Sequence, residues 1–251
     1  MADGLETFGD GSTGPNNDTF LSNLRDELAL SYAVTGDPGY AGLLTMFPDY
    51  KPNLWDRRAL PEGQPQFPTA PSKIWPTFGL AMLRSDESSG YWTNPDAIAV
   101  QQVMSKRYGH DQPDKFHISM FGANRLLYPD FLAKQYEHRG MGWTYTSSSH
   151  NTMQVDEQDT GTADPAIRHE FSPEVKFLAT SAEGLFDGVS QTRTLMLARE
   201  YLLDLFHASS KVPRLYDYTL HSMGEPQAIR PKDFSRWPSS VPVTGRSTTR
   251  G

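Results

Sequence analysis

The sequence predicts a mainly β chain, an antiparallel β-sandwich preceded by a short helical segment, and three observations carry that prediction. Short segments of alternating or apolar residues, divided by turn residues, recur from Phe78 to His221. Helical periodicity is confined to the residues before them. Aromatic residues make up 12% of the 251-residue chain and charged residues only 21%, a balance closer to a sheet-rich protein than to a coiled coil.

Taken in order, the first 18 residues are rich in Gly, Asp and Asn and read as a loop. Asp18 can cap a helix in which Phe20, Leu21, Leu24, Leu28 and Tyr32 share a face, until Gly36 stops the pattern. Asp37-Pro38 can open a second, shorter helix running to about Met46. From Pro48 to Pro76 prolines are too frequent for a sheet ladder, so this stretch reads as an ordered connection, with a boundary near residue 72. Strands are then expected at Phe78–Arg84, Phe116–Phe121, Arg125–Tyr128, Asn151–Asp156, Val175–Thr180, Arg193–Leu197, Tyr201–Phe206 and Tyr216–His221. Ile98–Val103 reads as a strand, although Asn94-Pro95-Asp96 could start a helix. In Phe116–Met120 strict alternation predicts one buried and one solvated face. The Ser-, Pro-, Thr- and Arg-rich tail at 231–251 is expected to be loosely ordered.

Composition excludes several functions. A net charge of −7 removes the electrostatic basis for non-specific nucleic-acid binding, so no nucleic-acid partner is expected. With no cysteine there is no disulfide scaffold, thiolate zinc finger, iron–sulfur cluster or thiol nucleophile. The longest apolar run, Phe78–Leu83, is far short of the roughly 20 residues a spanning helix needs, so no membrane insertion is expected. The start, MADGLETFGDGSTGPNND, lacks the pattern of a signal peptide; either the chain is cytosolic or its true beginning lies elsewhere. Its GDGSTG lacks the Lys-Ser/Thr ending and preceding strand of a phosphate loop.

Chemistry-bearing residues concentrate in RYGHDQPDKFHISMFGANRLLYPDF, residues 107–131, and SSSHNTMQVD, residues 147–156. His110, beside Asp111, Asp114 and Lys115, is placed for proton transfer near neutral pH. Gln112, Asp130 and His150 lie at the ends of successive expected strands, where an antiparallel sheet can gather them into a zinc site or a hydrogen-bonded polar cluster. Lys106, Arg107, Lys115 and Arg125 could attract a polyanion or be solvated surface charge. His117 reads as a hydrogen-bonded or exposed sheet residue, and His221 as part of a strand-end cluster. Trp75, Trp92 and Trp143 suit either core packing or stacking on sugar rings. His138, His169 and His207 have no partner pattern.

Four blocks in order, FGLAMLR, GHDQPDKFHISMFGANRLLYPD, SSSHNTMQVD and YDYTLHSMGE, resemble the sandwich region of the heparinase II/III-type polysaccharide lyases. The matching positions are Gly109-His110-Asp111-Gln112-Pro113-Asp114-Lys115, Tyr128-Pro129-Asp130, and His150-Asn151-Thr152 with Asp156. Gln112 stands where several members carry a metal-ligating histidine. The resemblance implies an α/α toroid of helical hairpins followed by a β-sandwich of the supersandwich type. Residues 1–71 would be the end of the toroid and its Pro-rich connection, 72–230 the sandwich, and 231–251 the tail. It implies β-elimination on a uronic-acid-containing acidic polysaccharide, with His110 catalytic, Lys115, Arg107 and Tyr108 binding substrate, and Asp130, His150 and Gln112 holding zinc. A periplasmic or secreted location is expected from the family. Nothing here matches the toroid's catalytic Tyr or the Asn or His that neutralises the substrate carboxylate. The chain therefore reads as a lyase fragment, inactive in isolation unless a toroid completes it. The alternative is a non-catalytic carbohydrate-binding or interaction module.

Overall fold

A computed structural model describes residues 18–48, 50–51, 58–104, 112–130 and 141–223. Two helices come first, α1 (Asp18–Thr35) and α2 (Pro38–Leu44). Gly36, at φ +69°, ends α1 by donating its N–H to the Tyr32 carbonyl over 2.8 Å. Asp37 caps α2 by accepting the Gly39 N–H over 2.8 Å, with Pro38 at the first helical position. Ala29 and Tyr32 of α1 pack on Ala41 and Leu44 of α2. The following chain passes so close that a Cβ at Gly42 would lie 2.1 Å from the Gln66 carbonyl oxygen, so only glycine fits there. The Pro-rich connection is ordered by specific bonds. The Trp92 indole donates to the Pro68 carbonyl over 2.7 Å, and the Ala70 N–H to the Glu87 carbonyl over 3.0 Å.

The rest of the described chain is antiparallel sheet. Strands β1 (Lys73–Trp75), β2 (Leu80–Arg84), β3 (Ala99–Val103), β4 (Ile118–Gly122) and β5 (Arg125–Tyr128) form a five-stranded meander in chain order. A short helix α3 (Met141–Thr144) precedes β6 (Met153–Val155). Strands β7 (Ala166–Phe171), β8 (Val175–Phe186), β9 (Val189–Ala198) and β10 (Leu202–Ser210) form a second sheet in the order β10-β9-β8-β7. The last strand, β11 (Tyr216–Tyr218), pairs with β6. The expected fold class, a mainly β antiparallel sandwich behind a short helical segment, is the one observed.

The two large sheets face each other. Ala81, Leu83, Val100 and Ile118 from the first pack against Leu178, Leu195 and Leu197 from the second in one buried cluster. Alternation explains it, since residues two apart on a strand share a face. A second cluster contains Phe116, Val155, Ala182, Leu185, Phe186 and Val189. The fully or nearly buried polar residues Gln102, Lys176, Thr180, Gln191 and Arg193 share the inner surface. The Gln102 amide donates across the sandwich to the Thr180 hydroxyl over 2.8 Å.

Three expectations are corrected. Phe116–Met120 does not have one solvated face: Phe116, His117, Ile118 and Ser119 are all buried, because residues 147–152 cover the side that the second sheet does not. The connection contains a strand, β1, pinned between Pro71 and Pro76. Strand β7 was not anticipated because AIRHEF has no apolar alternation; it is an edge strand exposed along much of its length.

Candidate buried polar site

The site lies where β4 begins, β5 ends and β6 begins. His117 stands one residue before β4, in a turn closed by its own N–H donating to the Asp114 carbonyl over 2.9 Å. Phe116 enters that turn at φ +61°, a left-handed conformation that costs a non-glycine residue roughly 1–2 kcal/mol. Asp130 follows β5 by two residues. His150 leaves a 3₁₀ turn at Ser147–Ser149 through an N–H bond to the Ser147 carbonyl of 3.1 Å.

Each residue of His150-Asn151-Thr152 is completely buried and has a definite task. His150 Nδ1 lies 2.6 Å from Asp130 Oδ1. The Asn151 side-chain amide donates to the carbonyls of Ile118 and Pro129, over 2.9 and 3.0 Å, while its carbonyl oxygen accepts the His221 N–H over 2.6 Å. The Thr152 hydroxyl donates to the Lys115 carbonyl over 2.5 Å. Asp156, the last residue of that block, pairs with Arg214 over 2.7 Å and accepts the Leu215 N–H over 2.9 Å. These two bonds hold its carboxyl below its ordinary value and fasten the chain entering β11.

His117 receives the main-chain N–H of Asn151 at Nδ1 over 2.8 Å, so its proton sits on Nε2, which meets the Ser119 hydroxyl at 2.9 Å. Its Nε2 lies 3.9 Å from Asp130 Oδ2, and its ring stands edge-on to that of His150 with centroids 5.5 Å apart. Burial pushes the His117 pKa down to about 4, against the attraction of Asp130. His150 behaves oppositely. Burial pulls its pKa down, but the charge and hydrogen bond of Asp130 outweigh this and leave it raised. The Asp130 carboxylate thus favours the protonated form of His150, while burial keeps His117 a neutral imidazole near neutral pH.

His117, Asp130 and His150 form a group able to hold a metal ion, with one ligand atom from each lying within 4.8 Å of the others. Two imidazoles and a carboxylate are an ordinary zinc donor set. His150 Nε2 is buried without a hydrogen-bond partner, as are both amide atoms of Gln112. Unsatisfied buried polar atoms cost about 1–3 kcal/mol each, so this region accommodates a further ligand. Asp130 and the open Nε2 of His150 fit a metal, whereas His117 as held here does not, because its Nδ1 accepts the Asn151 N–H and its Nε2 carries the proton.

The structure brings Asp130 and His150 together and adds His117, which the sequence suggested only as a hydrogen-bonded sheet residue. Gln112 is buried, its main-chain carbonyl accepting Lys115 Nζ over 3.0 Å, while its side-chain amide bonds to neither Asp130 nor His150. Contrary to the expectation of a polysaccharide-binding residue, Lys115 does not present its charge to solvent. It is 1% exposed and its ammonium lies 2.6 Å from Asp114, because a buried cation requires a counter-charge. His110, Arg107, Tyr108 and Lys106 lie outside the described residues, as does the 231–251 tail. His221 joins the site's rim, its Nε2 3.0 Å from the Ser148 carbonyl and its ring edge-on to Trp143.

Sequence reasoning missed Arg193. Its signal was present in the expected strand Arg193–Leu197, where the arginine is in phase with Leu195 and Leu197 and therefore faces inward with them.

The sequence matches no protein-family model and no curated protein. Its fold has solved counterparts. One, a heparinase III gene product, has a TM-score of 0.68 at 15% identity, over 90% of this chain and 32% of its own. Another, heparan sulfate lyase HepC from Pedobacter heparinus, has a TM-score of 0.64 at 16% identity, over 84% of this chain and 31% of its own. A third, described as heparinase III, has a TM-score of 0.51 at 18% identity, over 81% and 30%. The chain spans about a third of the length of these structures.

Proposed function

We propose that this chain is the sandwich-centred part of a polysaccharide lyase of the heparinase II/III type, cleaving an acidic, uronic-acid-containing polysaccharide by β-elimination. The observation that carries this reading is the fold likeness to heparin and heparan sulfate lyases over 84–90% of the chain. The ordered motif blocks of the sequence support it. Residues 1–71 are proposed as the end of a toroid with its connection and 72–230 as the sandwich, in an enzyme working in the periplasm or outside the cell.

Elimination removes the proton beside the uronate carboxylate, so it needs a base, a donor for the developing charge, and an acid for the leaving oxygen. His110 is proposed as one of the acid–base pair, with Arg107 and Tyr108 contacting the polysaccharide. The described polar site is suited to a different task. It is closed to solvent, so a zinc ion held there by Asp130 and His150 would brace the ends of the strands rather than meet substrate.

The test follows unsaturated uronate by ultraviolet absorbance with heparan sulfate, heparin and alginate. It compares this chain by itself with the longest protein encoded through its reading frame. Turnover by the longer protein, abolished by His110→Ala and absent from the shorter chain, is the expected result. Binding by both without turnover by either would select the second reading, a non-catalytic carbohydrate-binding module. Neither binding nor turnover would overturn both.

A further inference from the structure

The turns at one end of the sandwich enclose a cleft of about 1210 Å³. Its walls come from both sheets: the chain between β2 and β3, the β4–β5 turn at Ala123, the β7–β8 turn at Glu174 and the β9–β10 turn from Arg199 to Tyr201. Ile98, Met120 and Leu127 give it apolar lining, and Tyr201 beside them is 62% exposed. Five carboxylates share the lining with two cations. Both cations are already committed, Lys176 to Glu87 at 3.2 Å and Arg199 to Asp86 by charge attraction. The other three carboxylates, those of Asp96, Glu174 and Glu200, belong to exposed residues and form no ion pair among the described residues. A cleft of this sign repels an acidic polysaccharide and attracts a basic partner.

The chain carries such a partner itself. After β11 the Thr219 N–H donates to the Thr152 carbonyl over 3.0 Å, and the Met223 N–H to the Leu127 carbonyl over 3.0 Å. Leu127 belongs to the cleft, so the described chain reaches its rim at Met223. Residues 229–238, IRPKDFSRWP, come shortly after, with Arg230, Lys232 and Arg236 against the single acid Asp233, and with Phe234 and Trp237 among them. Six residues separate Met223 from Arg230. An extended chain covers about 3.3 Å per residue, so about 20 Å of chain is at hand to carry the basic segment across the cleft. We infer that the cleft is a docking site for this chain's own segment 229–238, whose cations meet Asp96, Glu174 and Glu200 and whose aromatic residues meet Tyr201 and the apolar lining. Exposed ion pairs contribute little one by one, but a short tether gives the segment a high local concentration at the cleft.

The full chain is tested by limited proteolysis and by cross-linking. Trypsin cleaves after Lys232 and Arg236, and docking should slow both cuts relative to the same cuts in a free peptide of residues 229–238. Glu174→Lys combined with Glu200→Lys, both at exposed turn positions, should speed them by about three- to tenfold, the size of two exposed ion pairs lost, with an unchanged melt. Raising the salt to roughly 0.5 M should speed them in the parent too, because exposed charges are screened. Glu62→Lys, at an exposed residue outside the cleft, should leave the rates as they are. Carbodiimide cross-linking with peptide mass mapping should join Lys232 to Asp96, Glu174 or Glu200 within one chain. The same links found only between two chains would make a second copy's segment the occupant and overturn the intramolecular docking. Links from Lys232 only to carboxylates elsewhere, or cuts as fast in the parent as in the free peptide, overturn it altogether. Should the double variant melt early, the salt and cross-linking results on the parent decide by themselves.

Discussion

The main-chain N–H of Asn151 donates to Nδ1 of His117 across 2.8 Å, joining segments 34 residues apart and fixing which nitrogen of that imidazole faces Asp130. Asn151 does this while its side chain satisfies Ile118, Pro129 and the His221 N–H. One asparagine therefore holds together the ends of β4 and β5 and the chain after β11.

Asn151→Ala should be among the most destabilising single changes in the sandwich. It leaves two buried carbonyls and one N–H without partners, at about 1–3 kcal/mol for each group, so a loss of at least about 3 kcal/mol is expected. Urea denaturation of the variant and the parent measures it. A loss below about 1 kcal/mol would mean that water or a neighbour replaces those bonds.

In the metal-free chain the two histidines make stability depend on pH in opposite senses. The His117 pKa, near 4, lies below its ordinary 6.5, so the unfolded chain takes up this proton first and stability falls as pH drops from about 6.5 to 4. At about 1.4 kcal/mol per unit, the loss is roughly 3 kcal/mol. His150 has a raised pKa; its stabilisation is complete below 6.5 and is lost as pH rises through the folded-state value. Denaturant midpoints across this range should show a shallower acid limb for His117→Gln and a shallower decline above pH 6.5 for His150→Gln.

Leu195 and Leu203 lie in adjacent strands of one sheet on opposite sides of it. Leu195 is fully buried between the sheets, whereas Leu203 is exposed. Leu195→Ala should cost about 3 kcal/mol or more, and Leu203→Ala less than about 0.5 kcal/mol. Thermal or urea unfolding of the pair tests whether the sandwich faces are assigned correctly.

Tyr218 should be the late phenol in a spectrophotometric titration. Burial pushes its pKa up to about 12, and the nearby Asp204 carboxylate adds to the rise against the pull of Arg193. The folded chain keeps this proton while the unfolded chain releases it near 10, so the stabilisation is complete below that pH and fades as pH climbs toward 12. Tyr218→Phe should remove the highest-pKa component of the absorbance titration and leave the others in place.

The sequence by itself determined the order of elements and the class of fold. The helical face through Leu28 and Tyr32, the breaks at Gly36 and Asp37-Pro38, and the strands at Arg125–Tyr128 and Ile98–Val103 are local matters of periodicity and turn chemistry. It also marked His150-Asn151-Thr152 and Asp130 as a site. Only the tertiary structure decided which residues surround them. His117, just before β4, continues that strand's alternation as an ordinary strand residue would, and becomes part of the site because residues 147–152 fold over that face. Lys115 looked like a surface cation until the same covering buried it against Asp114. Arg193 lies 76 residues beyond His117 in the chain, and its hold on Phe116 and Asn151 arises from packing one sheet on the other. Contacts of this range carry no local period. They follow from how the faces meet, which is settled by burial summed over the whole sandwich rather than by any one segment.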